Sequence, residues 1–462
     1  MLRIKYIILT YFISLCMPYS VLSITITVPT DYTTIQGAVD AANPGDVISV
    51  LPGTYSGAFL TKANITITGF GDPSLVIISG GTGMAVFDVF ADHVTVESMT
   101  ITGGQMTGVF VGGDFAIIES NIIIDNHVPY ECFRTYGNGI SIGDASTVSY
   151  VEIRNNQILD NIGSCDDGQT GGGIYCKAEY FIIEDNVIIG NMAIGGQGDY
   201  GGGIYCQGGG IISGNVIAGN TTEALWSYTH TVESYGGGVY LDNNGYASPI
   251  NFTNNTVVGN KCETSGGIGH DLEAKGGGIY CVPGGTILLD RNIILNNTCI
   301  VNPFKEGRYA ISDGGGIYSD GDIASIYAND VHNNSPNSSG GSVVILPADY
   351  NFFKDPLLCD PSSGNYGINC PSPCAPYNSP ISLLIGALNV DCYFCGDLNC
   401  DGAINVLDIV YLVNYKFKSG PEPHCDPITA CSDVNNDGQV NVLDIIYLVD
   451  YKFKGGPAPN CP

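Results

Sequence analysis

The sequence predicts an all-β chain, short parallel strands wound as a single-stranded β-helix, with a small α-helical unit behind it. Three observations carry this. The hexapeptide GGGIYC stands at Gly171–Cys176, Gly201–Cys206 and Gly276–Cys281, with near-copies GGGVYL at Gly236–Leu241 and GGGIYS at Gly314–Ser319. A second motif places two asparagines five residues apart around an apolar centre. It starts at Asn121, Asn156, Asn186, Asn215, Asn255, Asn292 and Asn329, with a degenerate copy at Met99, in steps of 22, 35, 30, 29, 40, 37 and 37 residues. Beyond residue 390 the composition changes, and a different unit recurs at an offset of 36 residues.

The chain starts with the layout of an export signal. Arg3 and Lys5 precede the apolar run YIILTYFISLCM, and Val21–Ser23 stand before Ile24. The run is short for a membrane span. Residues 1–23 are therefore expected to be a signal peptide, and the mature chain to be secreted or cell-surface, with no transmembrane segment. Of 17 cysteines, removal of Cys16 leaves 16, an even set that suits disulfides in an oxidising compartment. A net charge of −29 argues against nucleic acid or an anionic membrane as partner, and it suits cations.

The middle of the chain explains itself by period. A 22-residue step holds about three short strands and their turns, which is one coil of a parallel β-helix. No 12-residue helical pattern separates the Ile- and Val-rich strands, so a βαβ fold is excluded. Stacked asparagines are expected to hydrogen-bond to the copies above and below, and to tolerate left-handed backbone at the turns. The glycine triplet is read as a turn with positive φ or a close backbone approach. No helix follows it, so it is not a phosphate loop.

These coils, with the entry segment DYTTIQGAVDAANPGDVISVLPGTY at Asp31–Tyr55, resemble the right-handed parallel β-helix family related to pectate lyases. The resemblance implies that TIQGAVDAA caps the open end of the column, and it covers residues 24–390. It implies a fold that hosts lyases, hydrolases, esterases, epimerases, adhesins and inert surface proteins. In that family lyases use Arg or Lys as base with calcium held by acidic residues, and hydrolases use clustered Asp.

The coils differ in length at one corner, between the Asn motif and the next glycine triplet. Those insertions carry Trp226, Asp166, Asp167, Arg134 and Arg308, besides Lys275 and Lys305. Aromatic platforms among carboxylates suit a carbohydrate groove. In GGGIYC the Ile and Cys share a face and the Tyr takes the other. Tyr175, Tyr205, Tyr240, Tyr280 and Tyr318 are thus expected as an outward ladder, either a structural stack or a sugar platform. Cys176 with Cys206, Cys262 with Cys299, and Cys132 with Cys165 are within reach of pairing, while Cys281 is read as a buried free thiol.

The tail holds GDLNCDGAINVLDIVYLVNYKFKSGPEPHC at Gly396–Cys425 and SDVNNDGQVNVLDIIYLVDYKFKGGPAPNC at Ser432–Cys461. Each opens with D-x-N-x-D-G and has Asp at loop position 12, the pattern of a calcium loop. The first loop offers Asp397, Asn399, Asp401, the Ala403 carbonyl and Asp408. The second offers Asp433, Asn435, Asp437, the Gln439 carbonyl and Asp444. Asn405 and Asn441 are assigned a water-linked role. Each loop runs into one apolar helix, so the unit is a pair of half EF-hands binding two Ca2+.

The tail resembles a type I dockerin, which implies calcium-dependent folding and a cohesin-type scaffold as partner. Positions often Ser or Thr in that family are here Val406–Leu407 and Val442–Leu443. The expected order is signal peptide 1–23, β-helix with N-terminal cap 24–390, short linker 391–395 and dockerin-like domain 396–462. The leading functional expectation is an exported protein that binds or degrades extracellular polysaccharide, as a lyase or glycoside hydrolase. The alternative is a non-catalytic surface or adhesion protein with a rigid β-helix spacer.

Overall fold

In the computed structural model the described residues are 23–80, 85–127, 135–143, 147–165, 168–196, 198–225, 231–266, 271–303 and 309–462. The expected signal peptide lies outside them, apart from Ser23. No helix among them is long and apolar enough to cross a membrane.

The strands stack as parallel coils. A long sheet of 19 strands forms two walls of the column and a 10-stranded sheet of short strands forms the third. Registers are continuous. Val109, Ile140, Ile174, Ile204, Val239, Ile279 and Ile317 follow one another up one row, all fully buried. Each such side chain contributes about 2 kcal/mol by leaving water. Helix Ile35–Ala41 closes the first coil as the resemblance implied. The Thr34 hydroxyl oxygen caps it by accepting from the Gly37 N–H at 3.1 Å, and Ile35, Ala38 and Val39 face the column.

Two asparagine ladders edge the short sheet. Asn186 shows the unit. Its Nδ2 donates to Asn215 Oδ1 at 3.0 Å and to the Ile153 carbonyl at 2.9 Å, and its backbone N–H reaches the same Asn215 oxygen at 3.0 Å. Its own Oδ1 accepts the corresponding pair from Asn156. The second ladder repeats this through Asn126, Asn161, Asn191, Asn220, Asn260, Asn297 and Asn334. The left-handed residue is the one before each ladder asparagine, as at Asn155, Asp185 and Arg291, and not the ladder asparagine itself. The ladder residue must point its amide along the column, so the tight turn is made one position earlier.

The glycine triplet divides its duties. Gly171 has φ +70°, while a Cβ on Gly172 or Gly173 would meet the carbonyl oxygen of Gly202 or Gly203 at 2.4 or 2.6 Å. The coils leave no room for any other residue there.

The insertions are ordered to a degree that their sequences hide. They leave and rejoin the column as strands, building a five-stranded and a six-stranded parallel sheet that face each other as a fin. Lys261–Gly266 alternates half-buried and buried residues, and Cys262 and Cys299 pack with Ala274 between the two sheets. The expected disulfides between stacked cysteines do not form. Cys176, Cys206, Cys262 and Cys299 are buried free thiols, and Cys262 Sγ lies 2.8 Å from Cys299 Sγ. In-register stacking aligns the Cβ vectors side by side about 4.8 Å apart, whereas a disulfide needs them about 3.8 Å apart and facing. Cys281 is a buried free thiol as expected. Cys165 is disulfide-bonded, and Cys132, its expected partner, lies outside the described residues.

The last named strand of the column ends at Gly341 and its last rung is Asn351–Phe352, earlier than residue 390. The chain then folds back over the outer side of the short sheet, where Val216, Val258, Ile293 and Leu295 bury against Ile368, Ala375 and Ile385. Their outward apolar side chains demand this cover. Nor is 391–395 a plain linker. It begins within strand Val390–Cys392, Cys392 bonds Cys359, and Cys395 bonds Cys461. Cys370 of the cap bonds Cys400 inside the first tail loop, and Tyr377 stacks on His424 at 4.0 Å.

Asp330 is buried under this cap. Its carboxylate accepts the Lys354 N–H at 3.1 Å and the Cys374 thiol at 3.4 Å, and burial pushes its pKa up to about 7. The folded chain therefore holds a proton there that the unfolded chain releases near pH 4. Thermal stability should fall as pH rises from about 4 to about 7, and the fall should be smaller in Asp330→Asn, measured by calorimetry across that range. Asn186→Ala should cost about 3 kcal/mol by orphaning its buried partners, whereas Asn302→Ala, at an exposed pair with Glu263, should cost little. Equal unfolding midpoints for those two variants would refute the ladder's role.

Candidate functional site

The tyrosine ladder forms, and it forms as a closed stack. Successive rings from Tyr175 through Tyr205, Tyr240 and Tyr280 to Tyr318 lie 5.1, 4.9, 5.1 and 5.5 Å apart. The returning strands of the fin add Tyr200 and Tyr235, which pack on Tyr240 and Tyr280 at 5.2 and 4.7 Å. Tyr175, Tyr280 and Tyr318 are consequently buried, and Tyr205 and Tyr240 half-buried. The outward parity was correct, but the fin covers the rings that the column turns outward. At the rim Tyr200 donates to Glu233 at 2.8 Å, and the buried Tyr235 donates to Glu273 at 2.6 Å.

Lys275 closes the corner. Its Nζ lies 2.6 Å from Glu273 and within 5.5 and 5.2 Å of the Tyr235 and Tyr318 ring centres. Burial would raise the Glu273 carboxyl, yet Lys275 and Tyr235 hold it below the usual range. Burial pushes the Tyr235 and Tyr240 phenols far up, so both stay neutral. The corner is an ion pair sealed by aromatic rings. Arg134, Asp166, Asp167, Trp226 and Arg308 lie outside the described residues.

A second constellation lies on the open outer face of the long sheet. Arg154 Nη2 is 2.9 Å from Glu152 and 3.5 Å from Glu119. Tyr150 donates to Glu152 at 2.6 Å. Beside them His93, Phe115, Tyr150 and Tyr180 stack at 4.7, 5.7 and 6.0 Å. Burial raises the Glu119 carboxyl even though Arg154 pulls it down. Burial and Glu152 together take Tyr150 to about 12. Sequence reasoning followed the insertions and passed over this strip. A signal was there, because Glu119, Arg154 and Glu184 each stand two residues before a ladder asparagine, where parity points outward.

In the tail each loop is closed by hydrogen bonds to its own carboxylates. In the first loop Asp397 accepts from Asp401 and Gly402 N–H at 3.2 and 2.9 Å. Asp408 accepts from Leu398 and Asn405 N–H at 2.9 and 2.7 Å. Asp433 and Asp444 repeat these bonds in the second loop. Asn405 and Asn441 are helix N-caps, accepting from Leu407 and Leu443 N–H. Among the described residues no three or more His, Cys, Asp or Glu side chains converge as a metal cluster. The loops' donors are a mixture of carboxylates, Asn399 or Asn435 amides and the Ala403 or Gln439 carbonyl. Asp397, Asp408, Asp433 and Asp444 are all fully buried. Burial and like charge push Asp397 up to about 6 and raise Asp408 and Asp444. Buried carboxylates crowded on oxygen-rich loops fit a hard divalent cation, which relieves both costs.

Helices Val406–Lys418 and Val442–Lys454 pack around Leu398, Leu412, Val434 and Leu448. Cys395 with Cys461 and Cys425 with Cys431 bind the two halves to each other, in equivalent positions of the duplicate.

Comparison with known proteins gives matches in both parts of the chain. The model of the right handed beta helix region matches residues 56–299, and that of the dockerin type I domain matches residues 395–451. No curated protein matches. Among solved structures, the crystal structure of pectate lyase Pel9A aligns over 80% of this chain and 97% of that one, at 12% identity and a TM-score of 0.40.

Proposed function

The chain belongs to the right-handed β-helix family and carries a type I dockerin domain, and from that premise we propose that it binds or degrades an extracellular polysaccharide. The observation that carries this is the open strip on the long sheet. There Arg154, Glu119 and Glu152 stand together beside the stacked Phe115, Tyr150 and Tyr180 rings. A polymer laid along the column meets a repeating aromatic track. The same strip offers it a carboxyl with raised pKa, Glu119, and a fixed cation, which is the minimum for proton transfer at a sugar. The sealed tyrosine corner supports a scaffold role for that side instead.

Dockerin domains bind cohesins, and type I dockerins bind calcium. In this chain two calcium ions are assigned, one to Asp397, Asn399, Asp401, the Ala403 carbonyl and Asp408, the other to Asp433, Asn435, Asp437, the Gln439 carbonyl and Asp444. Calcium would pull each loop's carboxylates together and fix the helix that follows. A cohesin-type scaffold is the assigned partner, met through an apolar surface because Val406, Leu407, Val442 and Leu443 are exposed. Such a protein works secreted or at a cell surface.

The full chain incubated with a panel of polysaccharides, with and without chelator, should yield ultraviolet-absorbing unsaturated ends if a lyase, or new reducing ends if a hydrolase. Arg154→Ala should lower that yield at least about 100-fold, and no product and no binding with any polymer would sink the reading. Calorimetric titration should show two calcium ions per chain, falling to one in Asp408→Ala or Asp444→Ala. Absence of uptake would remove the calcium assignment.

A further inference from the structure

The outer face of the long sheet changes character toward its last coils. Ile182 stacks on Ile211, Asn251, Leu288 and Ser325 in one row, and Ser213 on Thr253, Asp290 and Tyr327 in the next. These rows line a cavity of about 450 Å³, within the range of small-ligand sites. Ile211 and Leu288 are its apolar floor, and Asp290, Arg291 and Tyr327 its wall. A neighbouring cavity of about 360 Å³, lined by Asp322 and Asp349 among others, shares Ser325 and Tyr327 with it. Tyr327 therefore stands between two adjoining cavities, 38% exposed, with Tyr350 edge-on to it at 5.6 Å.

The polar groups are fixed and incompletely used. Arg291 Nε donates to Asp290 Oδ2 at 3.1 Å and Nη2 donates to Thr253 Oγ1 at 3.2 Å. A guanidinium has three further N–H groups to give. Asp290 Oδ1 is buried and accepts no hydrogen bond among the described residues. The cap holds the arginine's backbone, since the Gly386 N–H donates to the Arg291 carbonyl at 2.9 Å.

A sugar ring supplies the acceptors that Arg291 lacks. Adjacent hydroxyls can accept from the unused N–H groups of Arg291, which Asp290 holds in place, while the ring's apolar face covers Leu288 or the Tyr327 ring. Charge selects among sugars. Asp290 neutralises Arg291, and the second cavity has Asp322 and Asp349 with no cation in its lining. Uronate or sulfated residues would be repelled there. We infer that the paired cavities are a binding site for a neutral oligosaccharide, lying from Ile211 past Tyr327 toward Asp349. The inference rests on the polysaccharide reading and names its sugar class.

The test is isothermal titration of the full chain with cellohexaose, xylohexaose, mannohexaose and hexagalacturonate. At least one neutral hexasaccharide should bind, and hexagalacturonate should not displace it. Tyr327→Ala and Asp290→Asn should each weaken binding by about tenfold. An unchanged unfolding midpoint in Tyr327→Ala identifies its loss as one of binding. Neutral binding that persists at full strength in both variants, or preferential binding of hexagalacturonate, overturns the site and leaves the polysaccharide reading standing. No binding of any hexasaccharide overturns the site, and the panel of polymers then decides the broader reading separately.

Discussion

A buried primary amide that hands its hydrogen bonds to the next copy of itself is the constraint on which the column depends. Each coil turns a sharp corner on both sides of the short sheet, and a corner exposes peptide groups that no strand pairs. The ladder asparagines fill those positions, taking one coil's N–H and giving to another coil's carbonyl. Because every amide needs its neighbour in register, a coil can lengthen only where no ladder runs. That is why steps as different as 22 and 40 residues coexist in one column, the extra length leaving mostly at the fin corner and, between Val239–Asp242 and Ile250–Thr253, also between the two walls of the long sheet.

The expelled length is itself organised by the stack. Strands such as Lys261–Gly266 have no column to bury against, so they pair with the corresponding strands above and below. The resulting fin falls back on the tyrosine ladder and shuts it. The opposite face of the long sheet has no such cover, and there charged and aromatic side chains stand free in rows. The groups left open to solvent thus stand on the face with the more regular sequence, not on the one with the more variable sequence.

The coil, the ladders, the helical cap and the duplicated loop-and-helix unit of the tail were legible because each depends on local pattern: a repeat interval, a face parity, a loop spacing. The Tyr175–Tyr318 ladder was legible in direction and not in exposure, since parity says which way a ring points but not what comes to rest on it. The disulfides between Cys176 and Cys206 or Cys262 and Cys299 were misread because register fixes the distance between residues and not the angle between their side chains. The cap of 353–392 could not be read at all. It has no repeat, and its cause lies in outward Val216, Val258 and Ile293, whose meaning depends on what covers them. Arg154 was overlooked because a single basic residue at a coil position looks ordinary until its neighbours one coil away are known.

The bond between Cys370 and Cys400 joins the cap to the first loop of the tail, and the Tyr377–His424 stack lies beside it. A module attached in this way does not hang on a tether. Any pull on the tail passes through that bond into the cap, and from the cap into the flank of the column along hydrogen bonds such as Asn254 to Leu384. The anchored protein behaves as a lever with a welded foot, and the long axis of the column keeps one bearing relative to whatever holds the tail.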